Sequence, residues 1–195
     1  LLKKGYTGAV VKTVGSSLLI DNAAQKLGVN VIETAVGFKH VGEAMRKNDV
    51  IIGGEESGGL SIKGPIPEKD GILANLLILE AMADEGKSLT EMEDEIYDLA
   101  GCRFYTDRID LKKDNPDDVS ALISEFKEIK KLGHYEVTQK DLKDGVKLML
   151  GDRTKILVRP SGTEPLLRIY FEADSIEKIK ELEENVKNFV TYLSR

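Results

Sequence analysis

The chain has 195 residues, 41% hydrophobic and 32% charged, with a net charge of −6 at pH 7, enough apolar material for one or two packed domains. The negative balance argues against nucleic acid as a partner, because a phosphate backbone is bound by a broad basic surface. No apolar run reaches the ~18 residues of a membrane span, no basic segment leads into an apolar one, and a lone Cys102 with no Cys-x-x-Cys neighbour argues against disulfides or structural zinc.

Taken in order, LLKKGYTG reads as the tail of a helix ending near Gly5, so the first domain is expected to lack its beginning. AVVKTV (9–14) is rich in β-branched residues and predicts a strand. Ser16 and Ser17 can cap a helix running to Leu27, which Gly28 ends. VIET (31–34) is a second strand, Val41–Lys47 a short helix, and DVIIGG an apolar run ending in glycines. This strand–helix alternation predicts a parallel sheet covered by helices, with ligands at the carboxyl ends of the strands. Two more helices follow. One spans Asp70 to Glu85, with Ile72, Leu73, Leu76, Leu77 and Ala81 on its expected buried side, and the other spans Thr90 to Leu99 after a Ser88 cap.

Near Gly101 the pattern changes, and the domains are expected to be 1–100 and 101–195. FYTDRIDL (104–111) alternates as a strand, DDVSALISEFKEIKKLG (117–133) reads as a helix, and VKLMLGD with TKILVRP forms a hairpin around Gly151 and Asp152. In LLRIYFEA the residues Leu167, Ile169 and Phe171 share one face and Arg168, Tyr170 and Glu172 the other. Ile176, Ile179, Leu182, Val186, Phe189 and Leu193 give the last helix one apolar stripe. The second region is thus a small α+β domain.

Two loops carry candidate chemistry. RPSGTEPLLR (159–168) gathers Arg159, the hydroxyls of Ser161 and Thr163, and Gly162 between two strands. A guanidinium matches phosphate bidentately, and a glycine with positive φ lets successive backbone N–H groups converge on an anion. Such a set also occurs in ordinary surface turns. GGEESGG (53–59) offers Glu55 as an acceptor for vicinal hydroxyls and Ser57 as donor or acceptor, within glycines that let the backbone approach a ring. A solvated glycine-rich connector is the plain alternative. Because the chain is acidic, an anionic ligand must be drawn by local cations, of which Arg159, Arg168, Lys39 and Lys12 are candidates.

RPSGTEPLLRIYFEA resembles the phosphate-binding loop of the last domain of the α-D-phosphohexomutases. GGEESGG resembles the sugar-binding loop of their third domain, and KTVGSS (12–17) and TAVGFKHV (34–41) resemble other segments of that domain. The resemblance covers nearly the whole chain, in the family's order. Gly59 stands where the family often has His.

The resemblance implies domains 3 and 4 of a phosphoglucomutase/phosphomannomutase, the last with a TATA-box-binding-protein-like fold. The complete enzyme would interconvert hexose 1-phosphate and hexose 6-phosphate through a hexose 1,6-bisphosphate, using Mg2+. The family's Ser-His nucleophile and Asp-Gly-Asp magnesium loop occur nowhere in this sequence, so no catalytic or metal residue is expected here and the chain alone is expected to be inactive. By resemblance Glu55, Ser57, Gly37, Phe38 and Lys39 contact sugar, while Arg159, Ser161, Gly162, Thr163 and Arg168 hold phosphate. The expected partners are a phosphosugar and the missing N-terminal domains, with no nucleic acid and no membrane, and the expected setting is the cytoplasm. A phosphoglucosamine mutase fragment, or a stand-alone phosphosugar-binding module without chemistry, are the alternatives.

Overall fold

A computed structural model describes residues 1–64, 66–112, 115–161 and 164–193. The chain forms two compact units, Leu1–Arg103 and Phe104–Arg195.

The first unit opens with a 3-10 turn, Leu2–Lys4, closed by Gly5 in the left-handed region. Strand β1 (Ala9–Thr13) is central in a sheet of order β2-β1-β3-β4, parallel to both β2 (Val31–Thr34) and β3 (Val50–Gly54). The sheet is not wholly parallel, because β4 (Leu60–Ile62) runs antiparallel to β3. The GGEESGG segment is therefore a hairpin loop: the Glu55 N–H donates to the Gly59 carbonyl at 2.9 Å and the Gly58 N–H to the Glu55 carbonyl at 3.1 Å.

Helix α1 (Leu18–Lys26) starts where the Ser17 hydroxyl accepts from the Leu19 N–H. Helix α2 (Phe38–Lys47) starts three residues earlier than the sequence predicts, because Gly37 caps it and Phe38 is already helical and buried. Its Phe38 and Val41 pack with Val11 and Val50 into the core of this unit. A methyl group on Gly53 would stand 2.7 Å from Val41 Cγ1 and 2.8 Å from Met45 Sδ, so this glycine sets how closely α2 lies on β3.

Helix α3 (Gly71–Glu85) is capped by the Asp70 carboxylate, and α4 (Leu89–Ala100) by a Ser88–Glu91 capping box. The expected buried side of α3 is not realised. Ile72 and Leu76 are 76% and 58% exposed, and Leu73, Leu77 and Ala81 are half-buried. The helix is apolar around its whole circumference, so its sequence selects no single face. β4 is the element it chiefly touches.

In the second unit β5 (Tyr105–Lys112), β8 (Gln139–Asp141), β9 (Val146–Met149), β10 (Lys155–Pro160) and β11 (Leu166–Ala173) form an antiparallel sheet of order β5-β11-β10-β9-β8. Helix α5 (Pro116–Glu128), capped by Asn115, and helix α6 (Ile176–Leu193) share one core with Ile156, Val158, Leu167, Ile169 and Phe171. The Phe126 and Phe189 rings meet edge to face at 5.0 Å. Fully burying side chains of this size contributes about 1.5–3 kcal/mol each.

The reading of 117–133 as one helix is corrected. α5 stops at Glu128, and Lys131–Leu132 (β6) turns through Gly133 to pair with Tyr135–Glu136 (β7). Ile129 and Leu132 are both buried, which extended backbone after α5 accomplishes. On the sheet face away from the helices, the expected polar side is partly closed. Glu172 and Lys155, both almost fully buried, pair at 2.9 Å beside buried Leu157.

Candidate functional site

In the first unit the polar groups gather at the carboxyl end of β3. Glu55 leaves the strand with a side chain only 6% exposed. Its Oε1 accepts from the Gly37 N–H at 3.1 Å, and its Oε2 lies 3.6 Å from Lys69 Nζ. Gly37 caps α2 with a φ of 120°, a value that favours glycine. The carboxylate therefore sits at a helix N-terminus, where aligned backbone dipoles stabilise negative charge.

Phe38 is 7% exposed, belongs to the core, and places its ring 5.9 Å below Lys69 Nζ. Ser57 is exposed in the turn and Lys39 is exposed on the first turn of α2. Thus Gly37, Phe38 and Glu55 come together around Gly59, while Ser57 and Lys39 stand at the rim. Lys12 is committed inward: it is 2% exposed, its Nζ bonds Asp21, and Glu33 lies at 3.5 Å.

Two features of this loop have no local signature. Glu56 turns back to β1, where its Oε2 accepts from Thr13 Oγ1 at 2.7 Å, and a methyl group on Gly15 would stand 2.9 Å from that carboxylate. Lys69 is a charged residue in a loop, which by sequence alone reads as solvated.

In the second unit, Arg159 and Arg168 are direct cross-strand partners in β10 and β11. Like charges so placed repel. Arg159 Nη2 pairs with Asp144 Oδ2 at 3.0 Å, yet both Arg159 Nε and Arg168 Nε are buried without a hydrogen-bond partner among the described residues. A buried N–H left unmade costs about 1–3 kcal/mol, more when charged. Ser161 begins the loop, its N–H donating to the Leu166 carbonyl at 2.9 Å. Gly162 and Thr163 lie outside the described residues.

Sequence reasoning misses Asp144 and Gly145, although an Asp-Gly dipeptide before an alternating apolar run is a turn signal. Gly145 has a φ of 80°, and a methyl group there would stand 2.3 Å from the Val158 carbonyl oxygen and 2.8 Å from Arg159 Cγ. The turn thus braces the arginine. Among the described residues no three His, Cys, Asp or Glu side chains are grouped so as to hold a metal ion, and no helix is long and apolar enough to cross a membrane.

Chemically, the first unit offers a desolvated carboxylate beside an ammonium, suited to hydroxyl groups. The second offers two opposed guanidinium groups whose buried Nε atoms have no hydrogen-bond partner among the described residues.

Two stretches of the chain match models of one protein family. Residues 1–99 match the family model for phosphoglucomutase/phosphomannomutase, alpha/beta/alpha domain III, and residues 110–189 match that for the C-terminal domain. A phosphoglucomutase/phosphomannomutase of Thermococcus kodakarensis is 34% identical over 93% of this chain and 37% of its own length. A phosphoglucosamine mutase of Fusobacterium nucleatum is 32% identical over 93% of this chain and 36% of its own length. A solved structure from Thermus thermophilus that carries the phosphomannomutase name superposes with a TM-score of 0.79 at 35% identity, covering 97% of this chain and 38% of that one. The chain therefore spans well under half the length of these relatives, and it belongs to the phosphoglucomutase/phosphomannomutase family, of which it comprises domain III and the C-terminal domain.

Proposed function

We propose that this chain is the substrate-holding part of a phosphohexomutase, an enzyme that shifts a phosphoryl group between C1 and C6 of a hexose through a hexose 1,6-bisphosphate. The reading rests foremost on the opposed Arg159 and Arg168, whose buried Nε groups lack a partner among the described residues. A phosphate between them would relieve their repulsion and accept from both. Ser161, with Gly162 and Thr163 beside it in sequence, would complete the phosphate loop. Glu55 would accept from sugar hydroxyls, with Gly37, Phe38, Lys39 and Ser57 shaping the approach to it.

Phosphoryl transfer depends on positioning and charge neutralisation, so a half that grips the non-reacting phosphate and the ring is a full contribution to the reaction. Magnesium, when present in the complete enzyme, would neutralise charge at the transferring phosphoryl group. The described residues offer it no donor set, and this chain's part is to bind and orient. The partners would be the phosphosugar and the further domains of the longer protein, in the cytoplasm. Either a hexose or a hexosamine suits contacts made through hydroxyls and phosphate.

The test is titration of the purified chain with inorganic phosphate, glucose 1-phosphate and glucose 6-phosphate. All three should bind weakly, with Kd of about 1 mM, and Arg159→Ala should weaken each about tenfold or more. The chain alone should not turn over glucose 1-phosphate. Unchanged binding by Arg159→Ala would reduce the loop to a turn.

A further inference from the structure

We propose that Asp144 is a positioning residue of the phosphate site: it holds the Arg159 guanidinium so that the buried Nε–H faces the anion. The proposal rests on the phosphate reading of the arginine loop and gives a role to a residue which that reading leaves out.

Three observations converge on one short turn. Asp144 Oδ2 lies 3.0 Å from Arg159 Nη2, with the two side chains 22% and 18% exposed, so the contact is largely shielded from water. Arg159 Nε, on the same planar group, is buried with no hydrogen-bond partner among the described residues. A guanidinium carries five N–H donors in a rigid fork, so anchoring one nitrogen fixes where the others point. Asp144 thus occupies one corner of the fork and leaves another for a ligand.

The stem of the arginine is held by the next residue. A methyl group on Gly145 would stand 2.8 Å from Arg159 Cγ and 3.1 Å from its Cα, so the backbone of the turn lies against the stem while the carboxylate holds the head. Two points of contact remove side-chain freedom that ligand binding would otherwise have to freeze.

Finally, the two arginines are treated differently. Arg168 repels Arg159 from across the ladder, and the acid opposite Arg168 in register, Asp110, pairs instead with Arg108 at 3.2 Å. Asp144 is therefore the carboxylate that keeps Arg159 in place against that repulsion. The ligand class is inorganic phosphate or the phosphate group of a monoester, which would meet the arginine in the same orientation.

The experiment is an NMR titration of the 195-residue chain with inorganic phosphate at fixed ionic strength, following the Ser161 and Leu166 amides and the Nε–H signal of Arg159. Positioning and plain electrostatics predict opposite signs. If Asp144 acted only through its charge, removing it would spare the anion a repulsion and tighten binding. Because it holds Arg159, Asp144→Ala should instead weaken phosphate about tenfold, and the Arg159 Nε–H should exchange faster with water. Asp144→Asn, whose amide oxygen can still accept from Nη2, should restore most of the binding. Asp110→Asn, which removes the same charge from the other side of the pair, should bind at least as tightly as the wild type.

In an Arg159→Ala background, Asp144→Ala should add no further loss. If the wild type gives no response to phosphate, the phosphate reading falls and this one with it. If the wild type responds and Asp144→Ala binds equally well or better, the positioning proposal alone is overturned. A loss of the same size with and without Arg159 overturns it too, since the effect would then not pass through the arginine. Should Asp144→Ala fail to fold, Asp144→Ser takes its place in the same cycle, with the same outcomes deciding.

Discussion

Charge is handled in opposite ways at the ends of β3 and β10. At the first, the Glu55 carboxylate is surrounded by complementary groups: a backbone N–H at a helix start and a lysine. At the second, two arginines face each other across the ladder and leave buried N–H groups unmet among the described residues. One loop is near electrostatic balance before any ligand arrives. The other, on the reading proposed above, would be stabilised by the arrival of an anion. An anion should therefore tighten the second loop measurably, whereas a neutral polyol should do little to the stability of the first.

The strongest way to break this contrast is at Gly145. Alanine there must take a left-handed backbone and meets the Val158 carbonyl oxygen, which cannot yield without distorting β10. Gly145→Ala should cost about 3 kcal/mol in urea unfolding and abolish phosphate binding by swinging Arg159 from its place. A neutral variant would mean that the Asp144–Gly145 turn does not brace the arginine.

A smaller effect is expected on the other side. Gly15→Ala presses on the Glu56 carboxylate and should break its bond to Thr13, costing about 1 kcal/mol. Hydrogen exchange should quicken at the Glu55 and Gly58 amides while phosphate binding is retained. If exchange there is unaltered, the tie to β1 does not order the loop.

The smallest effect serves as a control that belongs to neither loop. Tyr135 Oη donates to Glu181 at 2.8 Å, and burial, with that bond and its charge adding, pushes the phenol up to about 12. The folded state thus favours the neutral phenol. Its contribution is complete below pH 10, the ordinary value, and is lost as pH rises through about 12. An absorbance titration should show one late tyrosine that Tyr135→Phe removes, and the wild type should lose stability relative to that variant between pH 10 and 12. The same late tyrosine in Gly145→Ala would show that the damage there is local. Superimposable titrations of wild type and Tyr135→Phe would show that the contact does not form.

Much of the fold was legible because the helices announce their ends. Ser17, Asp70 and the Ser88–Glu91 box mark starts, and Gly86 and Gly101 mark stops in the left-handed region. The strands that escape notice are short: β4 and β8 have three residues each, and β6 and β7 have two each, too few for an alternation to register. The end of α5 escapes because Lys130 and Lys131 continue a helical pattern, and only the burial of Leu132 against the sheet overrides it.

For the site, alternation along LLRIYFEA puts Arg168 on the polar face, but only the register reveals Arg159 as its partner. Gly37 and Glu55 are 18 residues apart, and nothing local predicts that the backbone of one would meet the carboxylate of the other. Resemblance to a family leads to the expectation that both belong to one site.

The buried pair of Lys155 and Glu172 constrains how this sequence can drift. Removing either partner breaks a buried ion pair, at a cost of about 3–5 kcal/mol, whereas replacing both with well-packed apolar residues is often neutral. The two positions on β10 and β11 therefore form a lock with two keys: each single step descends into a valley, and only a joint change crosses it. Lineages that carry the pair should keep it even as the exposed residues nearby turn over, so its persistence would record the difficulty of leaving rather than a task performed.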